Sequence, residues 1–318
     1  MKLRNIFFAV LFSTLVLSAC DEISTPIISK TVNSSLPSSM PAFTNISDST
    51  GTTSYKQYKM LLEVMGGHLC TNCPLGQTDA EAVLSSSIGG QVVFMQDEMG
   101  PESSTAAANI PSDAPAGSFQ VDYQCAVDST WWYIFGSPVT FPMGVVNREG
   151  APNNMFVIYP YQDSCTTIIN RASNVTPAVT IRIEDSCWTN PRIIGANFKL
   201  TFLKPLSGSY LLQTLIVEDS IIDWQVNNGA IISNFLHRNT LRGAFGNNTG
   251  GSIPGVNIPA TSVGTAWTSY QTYDFTNGEN GKAAHWNMAH CYIVAFVYNS
   301  PNNASPYQVV QAEMIKVE

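Results

Sequence analysis

The sequence predicts an α/β domain followed by an all-β domain, behind an export leader. Three observations carry this. The apolar run Met60-Leu61-Leu62-Glu63-Val64-Met65 is broken by Gly66-Gly67 and leads into Cys70 and Cys73, spaced C-x-x-C, and then into a helix-forming string at 77–84. Pro142 stands directly before a second apolar run, Met143-Gly144-Val145-Val146. From about residue 174 onward, apolar and polar residues alternate in short runs separated by Gly, Asn, Pro and Ser, the period of half-buried strands.

The leader comes first in the chain. Lys2 and Arg4 precede an apolar stretch at 6–17, too short to span a bilayer comfortably. It ends in Leu17-Ser18-Ala19-Cys20, which looks like a bacterial lipobox. The expectation is a signal peptide at 1–19, removed before Cys20, with acylation of that cysteine. The alternative is a plain secretory signal with a chance cysteine. Each buried methylene of an acyl chain is worth about 0.8 kcal/mol, so several chains would hold the protein firmly on a lipid bilayer. Residues 20–54, rich in Ser, Thr, Pro and Asn, read as a flexible spacer. Asp21 and Glu22 resemble either an inner-membrane retention signal or a Bacteroides-type surface-export signal. Asp48-Ser49-Thr50 resembles an O-glycosylation acceptor, but three residues are a weak motif and a solvated linker is the preferred reading.

Composition narrows the partners. The chain carries 23 acidic and 15 basic residues, a net charge of −8. Loss of Lys2 and Arg4 brings it to about −10, which argues against nucleic acid and anionic lipid as partners. The sequence offers no G-x-S-x-G nucleophile elbow.

The first domain is expected at 55–173. A dithiol where a strand turns into a helix has chemical meaning, because free N–H groups at a helix start favour the thiolate of Cys70. Pro74 suits a first helical turn. A thioredoxin-like dithiol, half of a metal site (His68 completes H-x-C-x-x-C) and a structural disulfide all fit the spacing. No second C-x-x-C supports zinc, and no His follows Cys73 for haem attachment. No cofactor and no metal are therefore assigned. In thioredoxin-like proteins a cis proline before a central strand lies against the dithiol, and Pro142 stands in that place; the plain reading is an ordinary trans loop proline. Such proteins also carry a buried acid on the strand before the dithiol as a proton relay. Glu63 holds a similar position, with a water-facing strand-end glutamate as the other reading. Leu69 and Phe141 depart from the usual thioredoxin residues. Trp131-Trp132-Tyr133 reads as core rather than as an exposed stacking set, and a closing helix is expected at 166–172.

The second domain, 174–318, reads as a β-sandwich. Val179, Ile181 and Ile183, then Phe198, Leu200 and Phe202, are alternating strands; residues 210–217, 231–236 and 267–275 are others. A Gly/Asn/Pro/Ser loop spans 243–264, as a binding loop or as disorder. The chain closes on a β-hairpin, Cys291 to Tyr298 and Tyr307 to Val317. Cys125, Cys165, Cys187 and Cys291 allow three pairings, or stay free as buried thiols. His285 and His290, an odd number of residues apart, do not share a strand face, and His237 with Arg238 and Arg242 reads as a hydrogen-bonding set.

The strings LLEVMGGHLCTNCP, VTFPMGVVNR, VEDSIIDWQ (217–225), HRNTLRGAFG (237–246) and CYIVAFVYN with VVQAEMIKV resemble the outer-membrane lipoproteins of the Bacteroides group related to the twenty-eight-kilodalton outer-membrane protein. The resemblance implies a thioredoxin-like domain followed by a β-sandwich, on the outer membrane and often surface-facing, with adhesin or receptor roles toward extracellular protein or glycan. Two functions follow as expectations. One is a surface binding or adhesion module whose Cys70–Cys73 disulfide is structural. The other is a tethered thiol–disulfide oxidoreductase, in which Cys70 attacks, Cys73 resolves, Pro142 holds the substrate chain and Glu63 relays the proton.

Overall fold

The fold comes from a computed structural model that describes residues 56–138, 140–152, 175–246, 254–259 and 261–317. The leader, Cys20, the spacer, the expected helix at 166–172 and Cys165 lie outside the described residues.

The apolar run becomes strand β1 (Met60–Gly66), every residue of which is buried. Helix α1 (Cys73–Leu84) follows, then β2 (Val92–Glu98), parallel to β1 in register Met60↔Val92 through Gly66↔Glu98. Alternation along β1 splits its side chains between two cores. Met60, Leu62 and Val64 meet Ala80 and Val83 of α1, whereas Leu61 and Met65 point the other way. Helix α2 (Ala126–Ile134) covers that second face with Val127 and Trp131. Strand β3 (Met143–Val146) runs antiparallel to β1 on its free side. The aromatic triplet lies on α2 and is divided by helical geometry: Trp131 is fully buried, Trp132 half-buried, and Tyr133 76% exposed.

The later chain supplies β4 (Val179–Thr189), β5 (Arg192–Phe202), β6 (Tyr210–Glu218), β7 (Ile221–Asn227), β8 (Ala230–His237), β9 (Thr240–Ala244), β10 (Val256–Asn257), β11 (Ala266–Asp274), β12 (Cys291–Asn299) and β13 (Val309–Lys316). The sequence-predicted strands and the closing hairpin, β12 with β13, are all found here. The 243–264 segment holds the end of β9 and the short β10. One large sheet has the order β13-β12-β6-β9-β2-β1-β3, with β10 on β6. It draws strands from both sides of residue 173. The join is β2 to β9, where Gln96 pairs with Thr240 and the Gln96 N–H donates to Asn239 O at 2.9 Å.

The sheet curls back toward its own beginning. Strand β13 donates from Val309 N to Asn147 O (2.9 Å) and from Ala312 N to Lys59 O (3.3 Å), beside β3 and β1, and Lys59 forms a buried ion pair with Glu313. Inside the curl, Trp131 of α2 meets Tyr298 of β12 edge to face at 5.7 Å, in one buried cluster with Val294 and Phe296 of β12 and Leu215 and Val217 of β6. The opposite residues of those strands, Leu212, Ile216, Ile293, Ala295 and Val297, meet Ile181, Phe198, Leu200 and Phe202 of a three-stranded sheet, β11-β5-β4. Burial of each such side chain is worth about 1.5–3 kcal/mol. The architecture is therefore α/β at its start and β-rich beyond. The remaining hairpin, β7 with β8, belongs to neither sheet.

Candidate functional site

Gly66 and Gly67 end β1, and the packing explains why both are glycine. A Cβ on Gly66 would stand 2.7 Å from Cys73 Sγ, and one on Gly67 2.2 Å from Glu102 O. The chain at 99–103 lies against this turn: Met99 N and Ser103 Oγ each donate to Gly66 O at 3.1 Å, and Leu69 N donates to Glu102 O at 2.8 Å. Within the loop Cys70 N donates to Gly67 O. Helix α1 begins at Cys73, with Asn72 at the N-cap position making no side-chain cap hydrogen bond and Pro74 in the first turn. Cys70 thus precedes the helix by three residues and Cys73 opens it. The two sulfurs form a disulfide, and both residues are only 5% exposed.

The antiparallel pair Met65↔Met143 places the start of β3, the residue after Pro142, beside the end of β1. The Phe141–Pro142 peptide is cis. A groove of about 390 Å³ runs beside the disulfide, bounded by Leu69, Cys70, Glu102, Thr140 and Phe141. Strand pairing thus brings the three predicted residues Cys70, Cys73 and Pro142 to one end of the sheet.

Glu63 faces the α2 side of β1, the side of Leu61 and Met65. Both of its carboxylate oxygens accept from Arg148, Oε2 from Nε at 2.7 Å and Oε1 from a terminal nitrogen. Neither side chain is exposed. The guanidinium lies over the Trp131 ring at 3.8 Å and near Phe296 at 4.8 Å. Arg148 therefore ties β1, α2 and β12 together at the centre of the curled sheet. Asp97 and Asp128 are buried nearby. Burial, and then neighbouring carboxylates, push both carboxyls well above their usual range. Arg148 was legible only as part of the string VTFPMGVVNR; a partner 85 positions away leaves no local trace.

The larger feature missed by sequence reasoning is the β7–β8 hairpin, which lies over the C-x-x-C loop. Val226 N donates to His68 O at 2.8 Å, Asn228 N to Thr71 O at 2.9 Å, and Gly229 N to Thr71 Oγ1 at 2.9 Å. The buried Gln225 amide donates to Cys70 O at 3.0 Å and to Gly67 O at 3.3 Å. Farther along, Gln77 of α1 donates to Leu236 O at 2.9 Å. The signal was present: Asn228-Gly229 sits between two apolar runs, and both residues have positive φ (48° and 79°), as a two-residue hairpin turn requires.

His68 is buried with its ring 5.3 Å from Phe119 and 5.6 Å from Tyr123. Tyr123 in turn packs against His237 and donates to Asp223 at 2.6 Å. Burial raises the Tyr123 phenol and lowers the His237 imidazole. Arg238 pairs with Asp219, and Arg242 pairs with Glu218. Among the described residues, Cys125, Cys187 and Cys291 are free thiols. Burial pushes the Cys187 thiol up to about 12, and raises those of Cys125 and Cys291 as well. Also among the described residues, no helix is long and apolar enough to cross a membrane.

Comparisons with known proteins agree with this architecture. HBP35 of Porphyromonas gingivalis is similar over 82% of this chain and 76% of its own, at 13% identity and a TM-score of 0.59. At that identity the likeness shows the fold alone. A β-glucosidase from Kluyveromyces marxianus aligns with 46% of this chain and 14% of its own, at 11% identity and a TM-score of 0.23, too slight to carry an argument. No curated protein matches. Residues 133–317, more than half of the chain, match the family described as outer membrane protein Omp28, so the chain belongs to the Omp28 outer membrane protein family.

Proposed function

We propose that this outer-membrane protein is a surface-facing binding or adhesion module, held to the bilayer by acylated Cys20, whose thioredoxin-like segment (55–173) carries a structural disulfide and whose β-sandwich segment (174–318) presents the binding surface. The observation that carries the reading is the hairpin over the dithiol. Five hydrogen bonds from residues 225–229 close on the 67–71 loop, and both cysteines are almost fully buried. A thiol–disulfide exchanger needs an accessible attacking sulfur. Here Glu63, the expected proton relay, has both oxygens engaged by Arg148. The lipobox and the acidic pair Asp21-Glu22 support the anchor and surface export; extracellular protein and glycan are the partners, and nucleic acid is not.

One observation favours the oxidoreductase reading: the groove beside Cys70 is bounded by Phe141, next to Pro142. The full chain carrying Cys73→Ser, expressed in its own cells, decides between them. The binding-module reading expects no partner protein disulfide-linked to Cys70. A trapped mixed disulfide would replace it with the exchange mechanism. Protease shaving of intact cells tests surface exposure, and full protection would overturn it. Replacement of Cys20 by Ala should release the protein from the membrane fraction.

A further inference from the structure

Away from the dithiol, between β11, the end of β9 and the start of α2, lies a cavity of about 810 Å³. Its size falls in the range of small-ligand sites. The side chains that line it include Tyr270, Gln271, Thr272, Tyr273, Asp274 and Glu279, and none of the described residues lining it is basic. Tyr273 is the informative one. The residue is 5% exposed, yet its hydroxyl has no hydrogen-bond partner. Leaving a buried hydroxyl unpaired is costly, so such a group calls for a ligand or solvent at the same place.

Two glycines make room for that hydroxyl. A Cβ on Gly243 would come within 2.6 Å of it and within 3.0 Å of Glu279 Oε1, and one on Gly278 within 2.9 Å of the hydroxyl. Glu279 is fixed in place because its other oxygen accepts from Ala126 N at 3.0 Å. Asp274 is fixed by the turn that follows it, accepting from Thr276 N and from the side chain of Asn277, both at 2.7 Å. The site therefore offers rigid acceptors and phenol and threonine hydroxyls.

Charge and geometry select the ligand class. The cations that act on Glu279, Lys282 and Arg242, are paired with Asp122 and Glu218, so the two carboxylates of the cavity disfavour anions. A quaternary or primary ammonium would seek an aromatic face, but the Tyr273 ring is already occupied: Trp286 stacks on it at 5.9 Å, and Phe245 and Phe275 pack edge to face with it at 5.9 and 5.1 Å. Its hydroxyl alone stays unpaired. Rigid acceptors combined with hydroxyl donors suit vicinal hydroxyl groups. We infer that this cavity is a binding site for a neutral carbohydrate, held through Tyr273, Glu279 and Asp274. The inference deepens the binding-module reading and rests on it.

The test is calorimetric titration of the full chain, purified in detergent, with neutral α-glucan, β-glucan, mannan and xylan tetrasaccharides, and with choline and a sialylated trisaccharide as charged probes. At least one neutral tetrasaccharide should bind. Tyr273→Phe should weaken that binding about tenfold while leaving the melting temperature unchanged or raised, since it removes an unpaired polar atom. Glu279→Gln should weaken it comparably and serves as the second readout. The inference is overturned if no neutral tetrasaccharide binds, if a charged probe binds more tightly, or if both variants bind like the parent. A mixed disulfide trapped on Cys70 would instead overturn the module reading and leave the titration result standing.

Discussion

Removing the Gln225 amide should expose the disulfide to reductant. Gln225 is 1% exposed, and its amide donates to Cys70 O, Gly67 O and Val226 O at 3.0, 3.3 and 2.8 Å. Gln225→Leu keeps the approximate volume but withdraws every one of these bonds. Leaving a buried polar partner unsatisfied costs about 1–3 kcal/mol. If reductant reaches the sulfurs only when the hairpin lifts, that cost comes off the opening free energy. A tenfold change per 1.4 kcal/mol then gives reduction roughly 5- to 150-fold faster. The assay is dithiothreitol reduction of the full chain, quenched by alkylation and read by mass spectrometry for Cys70 and Cys73. Amide exchange at Val226 and Asn228, whose N–H groups bond the loop, should accelerate in parallel. If exchange at these amides accelerates while the reduction rate stays within about twofold of the parent, the hairpin does not guard the disulfide.

Three further outcomes follow from the interior. Glu63→Gln leaves a fully buried guanidinium short of its partner and should cost about 3–5 kcal/mol in urea unfolding, whereas Glu63→Leu combined with Arg148→Met should recover most of that loss; equal losses would contradict a pairing role. The raised Asp97 carboxyl means that the folded state holds its proton to higher pH than the unfolded chain does, so this group's contribution is greatest at low pH and is lost as pH rises through its folded value. Asp97→Asn should therefore flatten the decline in stability above the ordinary carboxylate range near 4 and raise stability at alkaline pH, as read by melting temperature across pH. Native Cys125 and Cys291 should resist iodoacetamide until the chain unfolds, and half-buried Cys187, its thiol pushed up to about 12, should react slowly at pH 8; rapid native labelling of Cys125 would contradict its burial.

What the sequence made legible is what depends on neighbours in the chain. The apolar run of β1, the breaking glycines, the cysteine spacing and the strand after Pro142 are local, and each is found in the structure. Alternation exposed β4, β5 and β11, and apolar runs exposed β6 and the closing hairpin, for the same reason. The family resemblance rested on five strings; the family match covers the later ones and begins after the cysteine motif. Hidden from local reading were the long-range pairings. Gln96 meets Thr240, Glu63 meets Arg148, and Gln225 meets Cys70, across 144, 85 and 155 positions. Periodicity tells which face of a strand is buried but not which strand lies beside it. Hence the sequence suggests two domains in series, and the structure contains one sheet with strands from both. The Asn-Gly turn of the β7–β8 hairpin was the one overlooked local signal.

The measurement that bears most directly on the central claim is the reduction potential of Cys70–Cys73 in the full chain, equilibrated with glutathione buffers. A hairpin-covered structural disulfide should remain oxidised in a buffer poised near about −230 mV, with its own potential below roughly −300 mV. Half-reduction at or above about −230 mV would contradict the account and mark the pair as a working dithiol.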